Sequence, residues 1–202
     1  MATNKKFLGL GCFAVVILGL LFAGLYVTGV YNSLIGLDQK VQSQWGQVEN
    51  QYQRRADLIP NLVETVKGAA AFEQGTFTAV AEARAKAGQV QIDPTKLTQE
   101  TFNQFQAAQD GLSSALSRLL VVVERYPELK ATENFKELQA QLEMTENRIS
   151  TERMRFNEAA QAFNTRRNRF PAAIVAGFFS KFAEKPFFKA QAGAETAPKV
   201  KF

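Results

Sequence analysis

The chain has 202 residues, 24 Lys+Arg against 19 Asp+Glu, one cysteine and no histidine. Without histidine there is no imidazole base, no Ser-His-Asp triad and no imidazole metal ligand. A lone Cys12 allows neither an intramolecular disulfide nor a thiolate zinc cage. The length fits one domain plus an appendage.

The appendage comes first. Phe7 to Val30 carries no charged residue and holds five of the 13 glycines. As a helix this run would reach about 36 Å, enough to cross a hydrocarbon core with some tilt. It is too long for the apolar part of a cleaved signal peptide and lacks a small-x-small exit. Leu10-Gly11-Cys12 is a poor lipoprotein site, because the apolar run continues well past the cysteine. The run is therefore predicted to be a retained transmembrane anchor over 7–30, after a cytoplasmic 1–6. Lys5 and Lys6 precede it, and Lys40 is the one basic residue in the twenty that follow. The positive-inside rule then puts the N-terminus in the cytoplasm and the rest outside. Gly19 and Ala23, with Gly24 and Gly29 nearby, could form a packing seam or reflect the usual glycine content of membrane helices.

Beyond residue 30, heptad stripes predict helices. Leu34, Val41 and Val48, with Leu37, Trp45 and Tyr52, form the first stripe. A weaker one runs through Val63, Val66, Ala70, Phe77, Val80 and Ala87. Phe105, Leu112, Leu119 and Tyr126, accompanied by Ala108, Ala115 and Val122, make a third. The longest begins after Thr132, a suitable N-cap: Phe135, Leu142, Ile149, Phe156, Phe163 and Phe170, with Leu138 and Ala159 beside them. Proline costs about 3 kcal/mol inside a helix. A break before Pro60, with Asp57 as the new N-cap, gives four helices over 31–57, 58–88, 95–126 and 132–169. Were Pro60 only to kink one long helix, three very unequal helices would result, which fits the stripes less well. The predicted architecture is all-α: an N-terminal transmembrane helix, then a long antiparallel four-helix bundle over 31–170. A Phe/Lys-rich C-terminal segment over 171–202 completes the chain.

Four helices would bring that segment back to the membrane end. Phe178, Phe179, Phe182, Phe187 and Phe188 alternate there with Lys181, Lys185 and Lys189. Phenylalanines in the acyl boundary and lysines on headgroups would make it a membrane-interface segment. Alternatively the rings plug the end of the bundle. Charged and polar residues also gather: Arg54, Arg55 and Asp57 end the first helix, and Glu143, Glu146, Asn147, Arg148 and Glu152 crowd the middle of the last. Such a layer could be a carboxylate site, but di-metal bundles use Glu-x-x-His pairs. The plainer reading is a salt-bridged layer fixing register or meeting a partner, with no cofactor and no metal. The 22 basic and 19 acidic residues beyond the anchor nearly balance and are spread out, which does not point to nucleic acid. No glycine-rich phosphate loop is visible either.

Several segments resemble the LemA family. They are Tyr31 to Asp38, the block Gln53-Arg-Arg-Ala-Asp-Leu-Ile-Pro-Asn-Leu-Val63 with Val66-Lys67-Gly68, Ala83-Arg84-Ala85, and Tyr126 to Ala131. Thr145-Glu146-Asn147-Arg148-Ile149, Phe156-Asn157, Asn164, Phe170-Pro171, Phe187-Phe188 and Ala197 to Phe202 join them. Phe156 and Phe163 stand where the family is expected to have tyrosine. The resemblance implies a bacterial single-span membrane protein with a helical bundle. With the orientation given by the positive-inside rule, this predicts an inner-membrane protein whose bundle is on the periplasmic or extracellular side. The resemblance also implies partners among envelope proteins such as membrane peptidases, and no settled activity. It marks Arg54, Arg55, Asp57, Glu146, Asn147 and Arg148 as positions that the fold or a partner depends on. Read together, these features predict a non-catalytic scaffold or adaptor that touches the bilayer and self-associates. The alternative is a ligand-binding or sensory domain, or a weak hydrolase built on Glu143, Glu146 and Glu152.

Overall fold

The computed structural model describes residues 3–67 and 74–189. It is all-helical among the described residues: α1 (Thr3–Lys67), α2 (Gln74–Gln89), α3 (Gln99–Val123), the single turn α4 (Pro127–Lys130), α5 (Glu133–Asn168) and the short α6 (Ala172–Gly177). A 3-10 turn at Ser180–Phe182 leads into an extended stretch that reaches Lys189.

Helix α1 corrects the predicted break. Its 65 residues, about 98 Å long, pass through Pro60 without interruption. Asp57 is therefore not an N-cap; its carboxylate accepts from Gln53 one turn earlier, at 2.8 Å. Two features reconcile proline with a helix interior. Pro60 sits on the exposed face, while buried residues keep one unbroken 3-4 spacing across it: Val48, Tyr52, Arg55, Ile59, Leu62 and Val66. Proline has no N–H to give to the carbonyl of Ala56. That carbonyl accepts instead from Arg84 Nε of α2, at 2.9 Å. Helix α1 ends at Lys67 and α2 begins at Gln74, so no helix ends at Pro60. The second predicted helix thus loses its first half to α1, and Ala70 of its stripe lies outside the described residues.

The other boundaries fall close to expectation. Thr132 caps α5, its hydroxyl accepting from Phe135 N. Thr98 caps α3 in a box with Thr101. Asp93 and Thr95 close the turn before it, and both the hydroxyl and the backbone N–H of Thr95 donate to the Asp93 carboxylate. Those bonds hold the Asp93 carboxyl below its ordinary 3.8.

Successive helices run up, down, up and down. Helix α5 lies along α1 and α2 along α3, and large side chains join the two pairs. Two apolar clusters fill the bundle. The distal one gathers Ile59, Leu62 and Val66 with Leu112, Leu119 and Phe135. The proximal one, nearer the apolar run, surrounds Trp45, whose ring lies 5.1–5.8 Å from those of Phe102, Phe105 and Phe156. Phe170, the last member of the α5 heptad, falls past the helix end and is exposed.

The short α2 covers only the distal half. In the proximal half its place is taken by the 90–98 loop, through Ile92 and Leu97, and by the C-terminal stretch. Every described side chain from Phe13 to Gly29 is exposed, and Val30 is the first buried residue of α1. The apolar part of α1 thus projects bare from the bundle, long and apolar enough to cross a membrane.

Candidate functional site

Between the two apolar clusters lies one polar layer centred on Arg55. The side chain is 3% exposed and sits on the same stripe that buries Tyr52 and Ile59. Its guanidinium donates to Ser113 Oγ at 2.9 Å, Glu146 Oε2 at 3.0 Å and Gln109 Oε1 at 2.7 Å. The Tyr52 ring lies 5.1 Å beneath it. Burial pushes the Tyr52 phenol above its ordinary 10.0, with Arg153 and Arg55 pulling the other way.

Of the six residues predicted for this layer, the structure joins Arg55 and Glu146. Arg54, Asp57, Asn147 and Arg148 are exposed on the outer faces of α1 and α5. Gln109 and Ser113, which complete the layer, were missed. The signal for Gln109 was its phase: it falls on the α3 stripe between Phe105 and Leu112. Above Arg55 a cleft of about 310 Å³ opens between α3 and α5, lined by Leu116, Leu120, Leu142, Glu143 and Glu146. Glu152 is not part of it; its carboxylate pairs with Arg155 at 2.7 Å. The three glutamates considered for hydrolysis are thus not brought to one place.

A second constellation holds the C-terminal stretch against α5. Asn164 Nδ2 donates to Lys185 O while its Oδ1 accepts from Lys185 N, both at 2.8 Å. Asn157 repeats the pattern on Phe188, at 3.0 and 2.9 Å. The match is geometric. Seven helical residues advance about 10.5 Å and three extended residues about 10 Å, so the two amides clamp an antiparallel strap. The Lys189 carbonyl then accepts from Gln106 and Arg153.

The strap buries Lys185, Pro186 and Phe188, and two of these reach specific partners. Lys185, 4% exposed, reaches Asp38 at 2.6 Å and passes 5.0 Å from the Phe163 ring. Phe188 enters the Trp45 cluster, 4.5 Å from the Phe102 ring. Asp38, like Arg55, occupies a core position of the α1 stripe.

Of the eight residues predicted for the membrane interface, Phe182, Lys185 and Phe188 are buried in the bundle and offer nothing to a bilayer. Phe187 is partly open beside the strap, and Lys189 is exposed. Phe178, Phe179 and Lys181 lie at the proximal end, where Lys181 donates to the Tyr31 hydroxyl at 3.3 Å.

The family model for LemA matches residues 44–202, from Trp45 through the polar layer and the strap to the end. The chain belongs to the LemA family. Magnetosome protein MamQ 2 of Paramagnetospirillum magneticum is 28% identical over 178 residues, covering 77% of this chain. Magnetosome protein MamQ of Magnetospirillum gryphiswaldense is 26% identical over the same length. Protein LemA of Metamycoplasma hominis is 23% identical over 156 residues, covering 77% of this chain and 67% of its own. The match spans 65% of the length of the two magnetosome relatives. In this LemA member Phe156 and Phe163 are both fully buried against other rings, Phe156 against Trp45 and Phe102, Phe163 against Phe182.

Proposed function

We propose that this protein is a non-catalytic, membrane-anchored scaffold or adaptor of the bacterial cell envelope that self-associates. In this reading the N-terminus is cytoplasmic and the bundle stands outside the inner membrane. The observation that carries it is α1 itself: one unbroken helix is bare and apolar over Phe13 to Gly29 and then forms the spine of the bundle. Such a helix transmits the orientation of the span to the whole domain, which suits a protein that positions others. The buried ionisable side chains support the same reading. Arg55, Lys185 and Asp38 are engaged by protein groups that tie helix to helix and strap to bundle, an arrangement suited to holding register.

Gly19, Gly24 and Gly29 have open space where a Cβ would stand, so a second span could approach closely there. Envelope proteins such as membrane peptidases are partners of the kind such a platform would hold. Cross-linking in native membranes followed by mass spectrometry tests both. Self-links and reproducible links to envelope proteins support the scaffold; intramolecular links alone defeat it.

The cleft above Arg55 favours one second reading, a ligand-binding domain with Glu146 as the recognising carboxylate. Glu146→Gln would then abolish function with an unchanged melting temperature.

A further inference from the structure

At the junction of span and bundle, α6 packs Ala172, Val175 and Ala176 onto the bundle and leaves a second face uncovered. Phe170, Ile174 and Phe178, spaced four apart on α6 and its flanks, are 82%, 54% and 79% exposed. Three large apolar side chains at one end of a bundle are costly to keep in water. Their position says what covers them. Helix α6 lies against the stretch of α1 where burial begins, at Val30, directly after the bare apolar run. The exposed Tyr26 and half-buried Tyr31 bracket this level, the place aromatic side chains take at a membrane boundary. The exposed Arg169 and Lys181 flank the patch, with the half-buried Arg166 donating to Ser33 beside it.

We propose that Phe170, Ile174 and Phe178 seat the bundle on the bilayer, inserting between anionic phospholipids whose phosphates meet Arg169 and Lys181. The patch is a second membrane contact, separate from the span, and it fixes how the long bundle leans from the surface. Of the rings predicted for the interface, Phe178 belongs to this seat; the structure adds Phe170 and Ile174.

The proposal rests on the reading of α1 as a membrane anchor, and the experiment separates the two. Nitroxide labels are placed on the full-length protein in a Cys12→Ser background at Leu20→Cys, Ile174→Cys, Phe178→Cys and Gln47→Cys. Each is reconstituted into phosphatidylglycerol-containing nanodiscs, and accessibility to oxygen and to a water-soluble nickel chelate is compared. The expected result is an oxygen-to-nickel ratio at 174 and 178 several-fold above that at 47 and below that at 20. Water-like ratios at 174 and 178 with a deep label at 20 overturn the seat and leave the anchor standing. Exclusion of both reagents at 174 and 178 shows a protein cover and also overturns it. A water-like label at 20 removes the anchor and the seat together.

Discussion

Replacing Asn164 with alanine removes both hydrogen bonds that hold the strap at Lys185. The backbone N–H and C=O of Lys185 are buried, and each buried group left without a partner costs about 1–3 kcal/mol. The segment can lift and hydrate instead, so the cost is capped by releasing Phe188 from the Trp45 cluster. A loss of about 3 kcal/mol follows, equivalent to a fall of about 6–12 °C in Tm for a chain of this size. Urea and thermal unfolding of the detergent-solubilised protein report it, with Trp45, the sole tryptophan, as the fluorophore beside the strap. Asn147→Ala, on the exposed face of the same helix, is the control and changes stability by less than about 0.5 kcal/mol. Because Asn157 clamps the same strap, Asn157→Ala combined with Asn164→Ala costs less than the two separately. A change below about 0.5 kcal/mol for Asn164→Ala alone refutes the clamp.

Other consequences are equally direct. Gln109→Leu leaves the buried Arg55 guanidinium short of an acceptor and costs about 1–3 kcal/mol, whereas adding Arg55→Met restores most of it; a urea double-mutant cycle measures the difference, and additive losses would contradict the layer. Pro60→Ala restores a helix-forming residue two turns before the end of α1 and raises stability by about 1–3 kcal/mol. In that background Arg84→Ala becomes cheaper, since the Ala56 carbonyl regains a backbone donor; an unchanged or lower Tm for Pro60→Ala argues for a broken helix. Tyr52 is held neutral by burial, so its contribution is complete below pH 10.0 and is lost as pH rises toward its higher folded value. Melting temperature therefore falls above pH 10 in the parent protein, and Tyr52→Phe flattens that fall.

Much of this architecture was legible in the sequence. The all-helical class, the apolar run and the Thr132-capped last helix follow from composition, periodicity and capping chemistry. Pro60 points to a break because proline is costly inside a helix and because four helices of similar length suit the stripes better than three unequal ones. Yet the stripe through Tyr52, Arg55, Ile59, Leu62 and Val66 keeps phase across the proline, which no turn would do. The donor that makes this tolerable, Arg84, lies 28 residues from the Ala56 carbonyl it serves and becomes visible only once α2 is packed.

Arg55 and Asp38 were similarly readable as charges on core positions, each demanding a partner. Which partner they find depends on helix pairing. The strap was the least legible element. Asn157 and Asn164 are seven apart and Lys185 and Phe188 three apart, but the relation between those spacings appears only when an extended segment lies along a helix.

Self-association of the membrane-anchored bundle is decided by counting protomers. Mass photometry of the full-length protein, extracted from its membrane into nanodiscs without passing through detergent, gives that count. A self-associating scaffold gives particles holding two or more copies of the 22.4 kDa chain, persisting on dilution. Particles that contain a single copy at every dilution, with no other protein bound, would contradict it.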